Sequence, residues 1–420
     1  MNEPIRLPAS DPQPAAGPRS LTFAQLIAPV STGAFLENHW EKAPLFVSRR
    51  DPSYYGSVFT LEDVDRYLHA ARQTGREVSI VPPVVRQQKS ERHLIGNVSM
   101  DRLYGAFSSG ETLRLEAIQL SWPPVATLVA DMAGALAAEA NVNLYMTPAN
   151  SQGLPLHFDT HDVFVVQVDG AKDWYVYEPE VQLPIETRSY LEHLGAVGQT
   201  GVVEGSPRLI ERRTLHTGDL LYMPRGFPHK AITGDRPSVH LALAMKTRNW
   251  IDLVKTAVEL LCIDRVEFRR ALPPGFMDDP GIREGMRESF ARMMQACAEE
   301  TSFDAALAAV MRHEVISRGY PPDGHFAELA RLDGLRSSDT VRRRAGLRCI
   351  AAADGDGCSI EFATNRVRGP RSILPALEYV RDHEQFQVAE LPDSLSEHSK
   401  CVLVCRLICE GLLVCLSDSL

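Results

Sequence analysis

The sequence lacks an apolar run long enough to cross a bilayer, and it lacks internal repeats. Its opening stretch, MNEPIRLPASDPQPAAGPRS, has no apolar core of the kind found in a signal peptide. That stretch is instead rich in proline and alanine, which is typical of a disordered lead. The sequence therefore predicts a tail over residues 1–19 and a cytoplasmic protein.

The 8 cysteines include no C-x-x-C pair, and a disulfide framework is not expected in a reducing compartment. Cys401, Cys405 and Cys409 are spaced four apart, which would put them on one helix face. Such a group can bind a soft metal, but a helix more often packs a small apolar face in this way. The spacing therefore favours packing over metal binding.

Basic residues do not dominate the chain. The net charge is −10 and the pI is about 5.8, which argues against a surface adapted to nucleic acid. Arginines nevertheless crowd residues 336–371, interspersed with acidic side chains. That region is either a basic patch for RNA or an acidic peptide, or, by the commoner pattern, a solvated face with ion pairs. With 420 residues, 44% hydrophobic and 23% charged, the chain is a globular protein of two or three domains.

The stretch from Ser151 to Pro179 holds the residues around which the chain is organised. His157 and Asp159 are two apart in a strand pattern, so their side chains point to the same face. His229 follows a later strand and a Pro/Gly-rich turn, in GDLLYMPRGFPHKA. Two histidines and one carboxylate bind iron(II) on one side and leave its other side open. A lone strand histidine is more often structural, but the two halves together predict a metal site of His157, Asp159 and His229.

These motifs resemble a known family. His157-Phe158-Asp159, the following VFVVQVDGAKDWYVY, and DLLYMPRGFPHKA are similar to the JmjC/cupin-type 2-oxoglutarate oxygenases. The similarity is greatest to the ribosomal oxygenase branch, whose members hydroxylate side chains of ribosomal proteins. NLYMTPANSQGLPLHFD and HWEKAPLFV also resemble that branch, so the similarity covers about Leu21 to Met245. It implies a double-stranded β-helix that uses Fe(II), 2-oxoglutarate and O2.

The resemblance also implies a co-substrate pocket. Lys172 matches the family lysine that holds the distal carboxylate of 2-oxoglutarate, although alone it would be taken for an exposed hairpin lysine. Tyr145 and Asn143 match positions that line the pocket, while a barrel tyrosine is otherwise a core residue. Some relatives have a serine on the final barrel strand, where this chain has Ala242 and Ala244. In this chain the serine's contact with the distal carboxylate is therefore missing or is made by another residue.

Three more polar residues lie near these motifs. His161 shares a strand face with His157 and is an alternative ligand, a substrate contact or a hydrogen-bonding neighbour of a ligand. The last role is favoured because the set of three ligands is already complete. His240 is assigned a structural role. Arg225, close to His229, either faces the substrate at the barrel mouth or is an exposed loop charge.

The apolar periodicity predicts an α+β fold in successive blocks. We expect helices at Leu21–Phe35, Thr60–Gln73 (with Thr60 as N-cap) and Pro123–Ala140, and strands at Val78–Val85 and Leu113–Leu120. Short strands rich in β-branched and aromatic residues fill 141–246, as in a double-stranded β-helix, the jelly-roll cupin. The helices before them would buttress that β-core.

Beyond the barrel, helical patterns occupy 249–320, and small helices with short hairpins follow over 321–420. The predicted domains are therefore a catalytic domain at 20–248, a helical region at 249–320 and a winged-helix-like domain at 321–420. The resemblance implies that the helical region makes a homodimer. No helix presents a clear run of base-reading residues, so protein contacts are favoured over DNA for the C-terminal domain.

The leading functional hypothesis is an Fe(II)/2-oxoglutarate-dependent oxygenase that hydroxylates Cβ of a histidine or arginine in a protein or peptide. The resemblance makes a ribosomal protein the expected substrate. Two alternatives use the same oxidant: demethylation of N-methyl-lysine, and tailoring of a ribosomally made natural-product peptide. A non-catalytic, metal-binding cupin scaffold is the rival from another class. A DNA-binding regulator is the least favoured, because the chain is acidic.

Overall fold

The structure, a computed structural model, describes residues 21–74, 78–84, 93–95, 99–187, 200–202, 207–317, 324–330, 332–344 and 346–416. The predicted tail at 1–19 lies outside these ranges. The chain divides into two compact units, one of Met1–Val129 with Ala140–Met245 and the other of Ala130–Glu139 with Lys246–Leu420. The further division of the second unit near residue 320 stays a prediction.

Short helices and one strand open the first unit. They are α1 (Phe23–Ile27), α2 (Thr32–Asn38), β1 (Leu45–Val47), α3 (Leu61–Thr74), α4 (Met100–Ser108) and the first part of α5 (Pro123–Leu136), whose residues from Ala130 belong to the second unit. The single helix predicted at Leu21–Phe35 is wrong, because Pro29 lies in the break between α1 and α2 and has no N–H for a helical bond. Ser31 begins α2 instead, since its side chain accepts a hydrogen bond from the Ala34 N–H at 3.2 Å.

Eleven strands follow in the described part of this unit. They are β2 (Val78–Val81), β3 (His93–Ile95), β4 (Thr112–Leu115), β5 (Ala138–Thr147), β6 (His157–Asp159), β7 (Asp162–Tyr177), β8 (Thr200–Val202), β9 (Leu209–His216), β10 (Leu220–Met223), β11 (His229–Ile232) and β12 (Ser238–Thr247). Their order is β3-β2-β4-β5-β12-β7-β11-β6-β8, with β9 and β10 also on β7 and β1 on β10.

The long strand β7 joins two faces of the barrel. Its first half pairs with β10 and β12, and its second half pairs with β9 and β11. Gly170 separates the halves at φ +69, where a Cβ would lie 2.0 Å from the Pro237 carbonyl oxygen. Glycine is therefore required at this turn. The arrangement is the double-stranded β-helix that the sequence predicts.

Three predicted boundaries in this unit differ from the structure, and the first is the strand expected over Val78–Val85, which ends at Val81. The strand expected over Leu113–Leu120 ends at Leu115 and is followed by a 3-10 turn at Ile118–Leu120. The helix expected to reach Ala140 ends at Leu136, because Ala137 has a positive φ of 49 and β5 begins at the next residue. A left-handed residue ends a helix whatever the apolar spacing beyond it.

The second unit contains the helices α6 (Trp250–Asp264), α7 (Pro280–Glu300), α8 (Phe303–Ser317), α9 (His325–Leu329), α10 (Leu374–Asp382) and α11 (Glu397–Cys409). Its strands are β13 (Thr340–Arg343), β14 (Ile350–Asp354), β15 (Gly357–Phe362), β16 (Asn365–Pro370), β17 (Gln385–Gln387) and β18 (Leu413–Cys415). They form two three-stranded sheets, β17-β13-β18 and β14-β15-β16. Both sheets contribute to one core, with Val341, Ile360 and Leu407 fully buried.

In this unit, cysteines of the predicted face pack against the core, and arginines of the arginine-rich region form ion pairs. Cys401 and Cys405 pack against the core, whereas Cys409, the third cysteine of the predicted face, is exposed. Arg366 pairs with Asp354 at 3.0 Å and with Glu361 at 2.9 Å. This part of the arginine-rich region is therefore an ion-paired face. Among the described residues, no helix is both long and apolar enough to span a membrane.

Candidate metal centre

The three predicted ligands meet where β6 and β11 pair. His157 and His229 are directly opposite each other in this antiparallel pair, and Asp159 lies two residues along β6. One ligand atom from each residue lies within 4.8 Å of the other two, the spacing of ligands around one ion. The rings of the two histidines are 4.4 Å apart, and His229 Nε2 lies 3.7 Å from Asp159 Oδ2.

The backbone sets the tautomer of both histidines. His157 Nδ1 lies 2.7 Å from the Pro155 carbonyl oxygen, and His229 Nδ1 lies 3.0 Å from the Phe227 carbonyl oxygen. A carbonyl only accepts, so each Nδ1 carries the proton and each Nε2 keeps its lone pair. Burial, with the adjacent His157, lowers the pKa of His229 to about 4. Two neutral imidazoles and one carboxylate suit a divalent transition metal such as iron(II).

The turn before His229 is hydrogen-bonded to the strand that carries His157 and Asp159. The Gly226 N–H donates to the Asp159 carbonyl at 2.9 Å, across β6. Gly226 has φ +89, and a Cβ there would lie 2.4 Å from the Val181 carbonyl oxygen. This turn therefore needs glycine, and it determines where β11 begins.

Arg225 is not an exposed loop charge, so that sequence interpretation is wrong. Its side chain is 6% exposed, and Nη1 lies 3.1 Å from Asp162 Oδ2. Glu41, from the HWEKAPLFV motif, forms a second ion pair with the same guanidinium. The Tyr222 hydroxyl donates to the other oxygen of Asp162 at 2.8 Å. Through these two ion pairs, Arg225 links the N-terminal motif to the barrel beside the metal site.

Lys172 is a buried lysine and not an exposed hairpin residue. Lys172 and Trp174 are two residues apart on β7, and both side chains point into the barrel. Lys172 is 5% exposed. Its ammonium donates to the Thr147 hydroxyl at 2.9 Å, and burial lowers its pKa to about 7. Among the described residues no carboxylate pairs with it. A buried ammonium without an anion is unfavourable, so the site is suited to an acidic ligand.

Tyr145 and Asn143 lie on one face of β5, together with Thr147. The Tyr145 ring stacks on His240 at 5.1 Å. The Asn143 side-chain oxygen accepts from the Ala117 N–H at 3.2 Å, which fixes the orientation of the amide. Thr147 was missed by the sequence prediction, although the two-residue period from Asn143 and Tyr145 indicates it.

His161 and the two alanines complete the surroundings. His161 is partly buried, its Nδ1 atom is enclosed, and in the described part of the chain that atom has no hydrogen-bond partner. Ala242 packs inside the barrel opposite Val165, and Ala244 is opposite Val163. Neither alanine side chain can form a hydrogen bond, so this strand offers no serine-like contact at these positions.

The barrel and its His-Asp-His cluster have the form of a cupin domain with a candidate metal site. Residues 122–253 match the model of the JmjC domain.

Similar proteins extend the comparison beyond that domain. Ribosomal oxygenase 1 of Rattus norvegicus is 33% identical over 282 residues, which cover 62% of this chain and 44% of that protein. The bifunctional lysine-specific demethylase and histidyl-hydroxylase NO66 of Aedes aegypti is 29% identical over 279 residues, covering 64% of this chain and 42% of that protein. The chain thus matches less than half the length of these relatives.

Solved structures support the fold. The X-ray structure of E. coli ycfD superposes with a TM-score of 0.53 and 17% identity, covering 92% of this chain and 98% of that one. YcfD, described as a ribosomal oxygenase, in complex with cobalt and 2-oxoglutarate has a TM-score of 0.51 and 16% identity, covering 93% and 99%. At this identity the likeness shows a shared fold.

Proposed function

We propose that the chain is an Fe(II)- and 2-oxoglutarate-dependent oxygenase that hydroxylates a side chain of a protein or peptide. One observation carries the proposal: a His-Asp-His cluster whose histidine Nε2 atoms keep their lone pairs shares a barrel with a buried lysine that, among the described residues, is bonded to a hydroxyl and not to a carboxylate. The first feature suits a metal, and the second suits a dicarboxylic acid. The relatives named ribosomal oxygenase support the same assignment.

Each residue has a part in this activity. His157, Asp159 and His229 would hold iron(II), which together with 2-oxoglutarate and O2 supplies an oxidant strong enough for an unactivated C–H bond. The Lys172 ammonium would bind the distal carboxylate, with Thr147 fixing its direction. Tyr145 and Asn143 would line the co-substrate space, and the apolar barrel wall would exclude water.

The substrate class rests on the relatives. Their names include ribosomal oxygenase and histidyl-hydroxylase, which favours Cβ of a histidine, or by the sequence hypothesis an arginine, in a ribosomal protein. The same names include a lysine-specific demethylase, so oxidation of an N-methyl group on lysine is the second candidate. Both reactions need the same metal site and differ only in the bound peptide.

The deciding experiment loads the protein with iron(II) without oxygen and then supplies 2-oxoglutarate, O2 and peptides that span histidines and arginines of ribosomal proteins. Peptide-dependent succinate, with a mass gain of one oxygen on one peptide, is the expected result. Formaldehyde from an N-methyl-lysine peptide would select the demethylase instead. Absence of 2-oxoglutarate binding in calorimetry would contradict the oxygenase proposal and favour the non-catalytic cupin scaffold instead.

The pH dependence of co-substrate binding should follow Lys172. Its pKa is lowered to about 7 by burial, and a carboxylate requires the ammonium form. Below about pH 6 the lysine is charged and affinity should be constant; above about pH 8 binding takes up a proton, and the dissociation constant of 2-oxoglutarate should rise about tenfold per pH unit. Calorimetry on the Mn(II)-loaded protein measures this, and a flat profile would contradict the role of Lys172.

We infer a homodimer formed through α6, α7 and α8. The 21-residue helix α7 has no buried residue, although it carries Phe290 and Met294. Trp250 on α6 is 79% exposed and Phe290 is 66% exposed. Apolar helices of this kind need a partner, and a second copy of the chain is the one that the family resemblance implies.

The dimer can be tested by sedimentation. The wild type should have twice the chain mass of 46.5 kDa. The double variant Trp250→Asp, Phe290→Asp should weaken association at least about 100-fold, because buried aromatics dominate such interfaces. Phe326→Asp is the matched control, since Phe326 is 86% exposed but lies on α9. A wild type that sediments as a monomer would contradict the proposal.

We also infer that residues 321–420 form a winged-helix-like domain used for protein contacts. Three helices, α9, α10 and α11, accompany the β14-β15-β16 sheet, whose arginines Arg366 and Arg368 are both paired with Asp354. Neutralised arginines favour a protein partner over nucleic acid. The cytoplasmic location stays a prediction.

A further inference from the structure

His240 lies in the barrel interior beside the residues assigned to the co-substrate. It sits on β12 and is 4% exposed. Its ring is parallel to the Tyr145 ring at 5.1 Å and edge-on to the Trp174 ring at 5.6 Å. Burial lowers the pKa of His240 well below its ordinary value, and the charge of Lys172 lowers this pKa further.

The Nδ1 atom of His240 is enclosed, and among the described residues it has no hydrogen-bond partner. Trp174 Nε1, on the neighbouring strand β7, is also enclosed and also has no hydrogen-bond partner among the described residues. Buried polar atoms in folded proteins almost always have a partner, and the two rings are only 5.6 Å apart, so these atoms indicate a bound molecule with acceptor atoms beside them. Lys172 lies two residues before Trp174 on the same face of β7, and in the described part of the chain its ammonium is bonded to a hydroxyl alone.

We propose that His240 donates its ring N–H to the distal carboxylate of a 2-oxo dicarboxylic acid and shares this carboxylate with Lys172. The inference rests on the proposed function and extends it to a further binding residue. A carboxylate has about four acceptor positions, more than one ammonium fills. The neighbouring Ala242 and Ala244 contribute no donor, so the imidazole takes the place that a hydroxyl on this strand would have.

The chemistry of the ring suits this task. A neutral imidazole has one N–H donor and no charge to repel the nearby ammonium of Lys172. Its lowered pKa keeps His240 neutral at physiological pH. The stack on Tyr145 holds the ring plane, so little rotational freedom is lost when the ligand binds. A structural role predicts only the stack, whereas a binding role also requires the N–H.

Two variants separate these roles. His240→Phe keeps an aromatic ring against Tyr145 but removes both nitrogens. His240→Asn loses the stack but keeps an N–H donor close to the position of Nδ1. A binding role predicts weaker affinity in His240→Phe and partial rescue in His240→Asn. A packing role predicts the opposite order.

The measurement is calorimetry on the full-length, Mn(II)-loaded protein with 2-oxoglutarate and with 2-oxopentanoate, which has a methyl group in place of the distal carboxylate. We expect His240→Phe to raise the dissociation constant of 2-oxoglutarate at least about tenfold, the size of a lost hydrogen bond to a charged group. Affinity for 2-oxopentanoate should change less than about twofold, because this ligand makes no distal contact. The KM for 2-oxoglutarate should rise while kcat stays close to wild type.

Wild-type affinity for 2-oxoglutarate in His240→Phe would overturn the inference and leave the oxygenase proposal intact. Absence of 2-oxoglutarate binding in the wild type would overturn both. If His240→Phe does not fold, the wild type still decides the matter. The NMR signal of the His240 ring N–H should become protected from exchange with 2-oxoglutarate but not with 2-oxopentanoate, and equal behaviour would contradict the proposal.

Discussion

Replacing Asp159 with alanine should lower succinate formation from 2-oxoglutarate at least about 100-fold, the upper end of the loss seen when a residue that merely supports a metal ligand is removed. Asp159 is the anionic member of the cluster, and its oxygen lies 3.7 Å from His229 Nε2. Without it, two neutral imidazoles remain to hold a dication. The variant should therefore lose iron as well as turnover, which metal analysis after dialysis would detect.

Asp235→Ala provides a matched control. Asp235 is an exposed aspartate in the loop between β11 and β12 of the same barrel, and it is not a member of the cluster. This variant should retain both iron and turnover. If Asp159→Ala kept one iron per chain and wild-type turnover, the third ligand would have to be another residue, and His161 would be the first to test.

Changing Lys172 to methionine should have two effects of opposite sign. Affinity for 2-oxoglutarate should fall at least about 100-fold, because a charge-assisted bond in a buried site is lost. Stability without ligand should rise. Burial lowers the pKa of Lys172 from 10.5 to about 7, so the folded state is penalised as pH falls below 10.5, and fully penalised below about 7. Methionine fills a similar volume without that penalty.

Thermal unfolding of the metal-free proteins between about pH 7 and pH 10 checks the second effect. The stability gained by Lys172→Met should be largest at the acidic end of this range and should shrink toward the alkaline end. Lys230→Met is the control, because Lys230 lies over the Tyr175 ring at 5.3 Å, on the outer side of the same sheet. It should change neither property by much. Wild-type affinity in Lys172→Met would show that another cation holds the carboxylate.

The local patterns of the chain are sufficient to predict the barrel and the cluster. Side chains two apart in a strand share a face, so His157-Phe158-Asp159 places two candidate ligands together before any tertiary contact is known. Alternating apolar strands separated by glycine and proline predict the double-stranded β-helix for the same reason. The helix at Leu21–Phe35 was mispredicted because the apolar spacing continues across Pro29, where the backbone cannot follow it.

The environment of each polar side chain depends on residues far apart in sequence. Lys172 and Thr147 come from different strands and meet inside the barrel, where burial lowers the lysine pKa to about 7. Arg225 pairs with Glu41, 184 residues away, and is buried although its position next to a glycine turn resembles an exposed loop. Neither result can be predicted from a local sequence pattern, because the burial of a side chain depends on which strands pack together.

By itself, then, the sequence determined the type of barrel and which three side chains can meet at a metal. The two-residue period of a strand pairs His157 with Asp159, and the later strand with its Pro/Gly-rich turn indicates His229. The tertiary structure alone decided that, among the residues it describes, Lys172 is enclosed without a carboxylate partner and His240, inside the same barrel, has a ring nitrogen without a hydrogen-bond partner. Desolvation and the absence of a hydrogen-bond partner belong to the packed interior, because the unfolded chain satisfies both groups with water.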